Sequence, residues 1–217
     1  MSNDQIDEYE QGERVRKWLR DHGGSIFGGI ALGLAAIVGF QLLQGRQDAQ
    51  RVEASRQFES FLGAQESGQA DQAAGLAVSL SVNFGDTPYP ALAAMHRAAV
   101  LVNENKAEEA LQVLETVLAD VRNPALAQII HLRAASAELI LGRHEAALAR
   151  LDAVDLAGYR ALRDELRGDA LAAQGRRDEA RAAYQDALAA TDIATPTRVL
   201  LELKLADAGG STTTPEA

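Results

Sequence analysis

The sequence predicts an all-α protein: a single N-terminal transmembrane helix followed by a domain of stacked helical hairpins. Three observations carry this. One uncharged run, GGSIFGGIALGLAAIVGFQLL, occupies residues 23–43. After Leu43 no stretch alternates Val, Ile and aromatics as a strand would. Ala, Leu, Glu, Arg and Gln dominate instead, and aromatics make up 5% of the chain. Finally, alanines recur behind turn residues at a fixed offset from Gly68 to Ala180.

The uncharged run holds 21 residues. About 20 are needed to carry a helix across a hydrocarbon core of ~30 Å. In lipid every backbone N–H and C=O must be satisfied internally, so one segment can span only as a helix. Trp18 is placed for the headgroup level, with Arg20 and Arg46 at the two ends. A cleaved signal peptide has an apolar stretch of about 7–15 residues and an A-x-A-like site. Here the run is longer, no A-x-A follows Phe40, and 22 residues precede it. A buried soluble helix fits less well, because the glycines weaken a soluble helix but are frequent in membrane helices. The reading is a retained anchor.

Arg14, Arg16, Lys17 and Arg20 lie just before the run, against Arg46, Arg51 and Arg56 after it. The bias is clearest close to the span, and it predicts a cytoplasmic N-terminus with an exported C-terminal bulk. Gly24, Gly28, Ala31 and Ala35 share one helical stripe, a small-residue face that lets helices approach closely in lipid. They form the predicted transmembrane packing face.

The repeat region follows. Gly68 precedes Ala73 by five residues, and Asn105/Ala110, Gly142/Ala147 and Gly175/Ala180 keep the offset. The later copies read NKAEEALQVL, GRHEAALARL and GRRDEARAAY, and successive alanines lie 37, 37 and 33 residues apart. A period of about 34 built from helix–turn–helix units is the tetratricopeptide signature. Gly or Asn takes positive φ and ends the first helix of a pair. The alanine permits a tight crossing, and Leu114, Leu151 and Tyr184 fill the next turn. Twelve residues upstream stand Ala98, Ala135 and Gly168, the small position of each first helix. The usual Trp and Tyr of that helix are absent, so the repeat is degenerate.

The expected pairs are 47–66 with 69–84, 90–104 with 107–120, 124–141 with 144–154 and 159–174 with 177–190. A last helix at 196–207 is expected to cap the stack. Pro90 and Pro124 suit the first turn of a new helix. The domains expected are therefore a cytoplasmic segment 1–22, a transmembrane helix 23–43, an exported repeat domain 46–207 and a disordered tail 208–217.

No catalytic constellation appears. His22, His96, His131 and His144 form no ligand pair, and no phosphate loop or nucleophile elbow is present. With no cysteine there is neither disulfide nor thiolate, and no cofactor or metal is expected. The net charge of −10 argues against nucleic acid. Glu108-Glu109 and Asp178-Glu179 open second helices, where they complement the helix dipole. Arg163, Asp164, Glu165 and Arg167 read as partners on a solvated helix face. In the tetratricopeptide register Met95, Val102, Leu132, Ser136, Leu139, Glu165 and Asp169 line the concave groove of the first helices, the expected partner-binding surface.

Two stretches, EQGERVRKWLRDHG before the apolar run and LRGDALAAQGRRDEARAAYQDAL from Leu166, resemble the YfgM-like ancillary subunits of the SecYEG translocon. The resemblance runs from Ile6 to about Leu205 and is most specific from Leu166 to Gly175. It implies a single-pass bacterial inner-membrane protein with a periplasmic repeat domain. It also implies association with the SecYEG translocon, with a membrane-anchored periplasmic prolyl-isomerase-like chaperone and with exported polypeptides. No residue role carries over. The function expected is a non-enzymatic interaction subunit linking emerging proteins to chaperones; the alternative is a scaffold for envelope assembly or stress-response regulation.

Overall fold

The computed structural model describes residues 4–210. Within the first helix it describes the side chains of residues 17, 18, 20, 29, 32–34, 36–41, 44, 45 and those from 47 on. The side chains of Gly24, Gly28, Ala31 and Ala35, and residues 211–217 of the expected tail, lie outside the described residues. Every regular element described is helical: α1 (Asp4–Glu66), α2 (Ala70–Asn83), α3 (Tyr89–Asn103), α4 (Ala107–Leu118), α5 (Pro124–Ile140), α6 (His144–Leu151), α7 (Arg160–Ala173), α8 (Arg177–Ala189) and α9 (Thr197–Asp207), with a 3₁₀ turn at Ala157–Tyr159.

The chain divides into two compact units, one reaching Glu53 and one starting at Ala54. In the first unit Leu32, Leu34, Ile37, Val38 and Phe40 are 53–74% exposed. At 100° per residue they spread over about two thirds of the circumference of α1, whereas a helix on a protein surface is apolar on one narrower stripe. Among the described residues no helix is long and apolar enough to cross a membrane. Much of the run 23–43 has side chains outside that description.

The second unit is a stack of helical hairpins. The last turns of α1 pack against α2 and α3 through Phe61, Ala64, Ala73, Leu80 and Ala93, all buried, and the Gln57 side chain donates to Ser79 Oγ at 2.6 Å. Pairs α3/α4, α5/α6 and α7/α8 follow; α3 packs on α5 and α5 on α7, so first helices form one layer. Helix α9 closes on α8.

The turn chemistry read from sequence is present. Gly68, Asn105, Gly142 and Gly175 take φ of 68°, 61°, 73° and 75°. Each turn closes with the same two bonds, as in Gly142 N–H to Leu139 O at 3.0 Å and Arg143 N–H to Glu138 O at 2.8 Å, the paired carbonyl capping of a Schellman end. The recurring alanines 73, 110, 147 and 180 are 0–3% exposed, as are Leu114, Leu151 and Tyr184. At Gly168 an added Cβ would lie 2.3 Å from Tyr184 Cε1, so α7 and α8 cross with no room for a methyl group.

Two local expectations need correction. Helix α6 ends at Leu151, three residues before the expected 154. The Gln128 side chain of α5 accepts from the N–H groups of Asp155 and Leu156, each at 2.8 Å, and Val154 is buried beside it. These bonds hold the chain out of helix. Asp164 is not on a solvated face: it is 4% exposed. The Arg163 side chain grips it at 2.7 Å and 3.1 Å and donates also to the Val154 carbonyl. Burial of a carboxylate is tolerable because that half-buried guanidinium pairs with it directly. At the other end, Ala208 of the expected tail is packed in the core with Leu201 and Leu205.

Candidate partner-binding surface

The register residues of the first helices divide by environment. Met95 and Leu132 are 8% and 2% exposed and belong to the packed core. Val102 and Leu139 are half-buried beside the same clusters. Half-buried Ser136 spends its hydroxyl on the Leu132 carbonyl at 3.2 Å, a common habit of serine within a helix. Glu165 and Asp169 lie on α7 and receive the Lys204 ammonium of α9 at 2.7 Å and 2.8 Å. Asp169 also accepts from the Tyr184 hydroxyl at 3.0 Å. These two acids are therefore engaged by the chain's own terminal helix.

Burial works to lower the Lys204 ammonium, but bonds to Asp169 and Glu165 outweigh it and hold the pKa raised. Burial, reinforced by the Asp169 carboxylate, pushes the Tyr184 phenol up. Lysine, tyrosine and carboxylates thus form one closed network in which each charge has a partner.

A second network, centred on a buried carboxylate, ties three consecutive helices. Arg150 of α6 donates through Nε to Glu138 of α5 at 2.7 Å and through Nη2 to Glu115 of α4. Glu138 is 3% exposed. His131, one turn pair before Glu138 on α5, has its pKa lowered by burial first and by the Arg150 charge second, with Glu138 opposing. Among the described residues no group of three or more His, Asp or Glu could hold a metal ion. The polar groups here hold helices together.

The open apolar feature lies elsewhere. A cleft of about 470 Å³ runs between α2, α3, α4 and the start of α5, and Val78, Val82, Ala94, Val113, Val121 and Leu126 line it. Across its rim Arg122, from the α4–α5 connection, pairs with Asp86, from the α2–α3 connection, at 2.5 Å. Val78 and Val82 are 61% and 76% exposed. None of the register residues lines this cleft. The tetratricopeptide register directed attention to first helices, whereas α2 and α4 are second helices. The available signal was Val78 and Val82 at i,i+4, flanking buried Leu80 on the opposite side of α2.

The sequence profile described as a tetratricopeptide repeat-like domain matches residues 16–210. An Escherichia coli (strain K12) protein named ancillary SecYEG translocon subunit is 29% identical over 82% of this chain and 85% of its own length. Proteins of the same name from Haemophilus influenzae and Aggregatibacter actinomycetemcomitans are 22% and 24% identical, each over 84% of this chain and 89% of their own. A profile covering nearly the whole repeat region, relatives aligned along most of their length and the four matching hairpin turns lead to one conclusion: the chain belongs to the tetratricopeptide repeat-like family, on the branch of the YfgM-like ancillary SecYEG translocon subunits.

Proposed function

We propose that this chain is a non-enzymatic, single-pass inner-membrane subunit associated with the Sec translocon, whose exported repeat domain links emerging polypeptides to periplasmic chaperones. The observation that carries the reading is the apolar girdle of α1. Leu32, Leu34, Ile37, Val38 and Phe40 are exposed over about two thirds of its circumference, inside an uncharged run of membrane-spanning length. Such a helix is stable in lipid and costly in water.

The names of the relatives support a place at the translocon. The hairpin stack supports binding over chemistry, since the polar clusters described are structural and the open cleft is apolar. Residues 46–217 hold 17 Lys+Arg against 25 Asp+Glu, an acidity that suits solubility. The absence of cysteine is compatible with an oxidising compartment. The prolyl-isomerase-like chaperone is the partner the family resemblance implies. Exported chains with apolar side chains are the clients that an apolar cleft suits.

The test is affinity purification of the full chain from detergent-solubilised membranes, with quantitative recovery of SecY. Enrichment that disappears when residues 23–43 are replaced by a polar linker is expected. Absence of SecY from the wild-type eluate overturns the translocon reading. A C-terminal alkaline phosphatase fusion is expected to be active, and an inactive, stably expressed fusion overturns the orientation.

A further inference from the structure

The end of a helical stack needs a polar outer face, because the last helix has no neighbour to cover it. Helix α9 breaks that rule. Its inner face, Leu201, Leu205 and Ala208, is buried against Leu171, Ala180, Tyr184 and Ala187. Its outer face carries Val199, Leu200 and Leu203 at 64%, 53% and 60% exposure, with exposed Ala206 one turn on. Ile193, in the connection leading into α9, is 86% exposed. A helix apolar on both faces belongs between two layers. Residues 211–217, STTTPEA, offer no large apolar side chain to cover it.

The charges around this face are one-sided. Asp192 and Asp207 are exposed at its borders. The nearby cations are Arg181, Arg198 and Lys204, and all are committed within the chain, Arg181 to Asp178 at 2.7 Å. Arg198 bonds Glu202 at 3.0 Å and the carbonyls of Leu188 and Thr191, and Lys204 bonds Glu165 and Asp169. The face is therefore an apolar stripe with an acidic rim.

We infer that the outer face of α9 is a docking site for an amphipathic helix of a partner protein that carries an apolar stripe flanked by Lys or Arg. The partner helix adds one more layer to the stack. A second copy of this chain is the poorer occupant. Two α9 faces would set one acidic rim against another, and each copy brings a charge of −10. An anionic lipid surface is repelled by the same rim. The inference stands on α9 alone and is independent of the translocon reading.

The experiment uses the full chain in nanodiscs of zwitterionic lipid, with empty nanodiscs as reference. The probes are two synthetic helices sharing one leucine stripe, one flanked by lysines and one by glutamates. The lysine-flanked helix is expected to bind at least tenfold more tightly, and to lose at least tenfold on Leu203→Glu or Val199→Glu. Asp207→Lys is expected to weaken the lysine probe and strengthen the glutamate probe. All three substituted positions are exposed, and an unchanged thermal midpoint verifies the fold. Equal binding of the two probes, or lysine-probe binding indifferent to Leu203→Glu, overturns the inference. So does wild-type self-association abolished by Leu203→Glu, which assigns the face to a second copy.

Discussion

Gly168→Ala tests the tightest crossing in the stack. The added methyl carbon falls 2.3 Å from Tyr184 Cε1, 2.5 Å from Cδ1 and 2.9 Å from Cζ, against an ordinary carbon–carbon contact of ~3.5–4.0 Å. The ring cannot move aside cheaply. Tyr184 is 3% exposed, in a cluster with Leu171, Leu201 and Leu205, and its hydroxyl is tied to Asp169. Relief therefore demands that α7 and α8 separate or that the tyrosine leave its bond. Overpacking of this kind costs about 1–3 kcal/mol, and a lost hydrogen bond adds ~1 kcal/mol. Alanine returns up to ~1 kcal/mol through its better helix propensity. The net expectation is a loss of about 2 kcal/mol, or roughly 4–8 °C in the thermal midpoint for a domain of this size. Thermal and urea unfolding followed by far-UV circular dichroism measure it. The same change in a Tyr184→Leu background should be nearly neutral, because the ring is gone. Wild-type stability rising on Gly168→Ala would refute the argument, since propensity would then outweigh a crossing that yields.

Three further expectations follow from the same packing. Phe61→Ala opens a cavity where α1 meets α2 and α3 and should cost about 3–5 kcal/mol in urea unfolding, whereas Phe40→Ala, 61% exposed, should leave the unfolding of the repeat domain unchanged. Arg150→Met strands the buried Glu138 carboxylate and should cost about 3–5 kcal/mol, with most of the loss recovered in the Arg150→Met/Glu138→Leu double variant; equal losses in both would refute the stranded-carboxylate argument. His131 is held below its ordinary pKa of 6.5 by burial and by Arg150, so the unfolded chain binds its proton more readily than the folded one. Its contribution is complete above that value and is lost as pH falls below it, and His131→Phe should flatten the pH dependence of the urea midpoint over that window.

The helical hairpins were legible because their turns are local. Gly142 and Gly175 adopt positive φ whatever the surrounding fold, and a fixed five-residue step to Ala147 and Ala180 places each second helix. The small position at Gly168 was legible for the same reason, being twelve residues before Ala180. The bonds that stop α6 at Leu151 were not. They come from Gln128, a glutamine with no distinguishing local pattern, reaching across from α5. Asp164 looked like a surface acid because its neighbours Arg163 and Arg167 suit an exposed helix, yet it is buried and held by Arg163.

Sequence alone therefore determined the order of the helices, their turns and the small residues at their crossings, since each depends on backbone conformation within a few residues. It also placed the apolar run of α1, where length and the absence of charge suffice. Tertiary structure decided which polar residues face which. It closed Glu165 and Asp169 onto Lys204, buried Met95 and Leu132 in the core, and opened the apolar cleft beside Val78 and Val82 on the second helices. It also left the outer face of α9 uncovered. Whether a half-apolar helix face becomes core or surface depends on the neighbour that arrives to cover it, and residues tens of positions apart are brought together only when the stack closes.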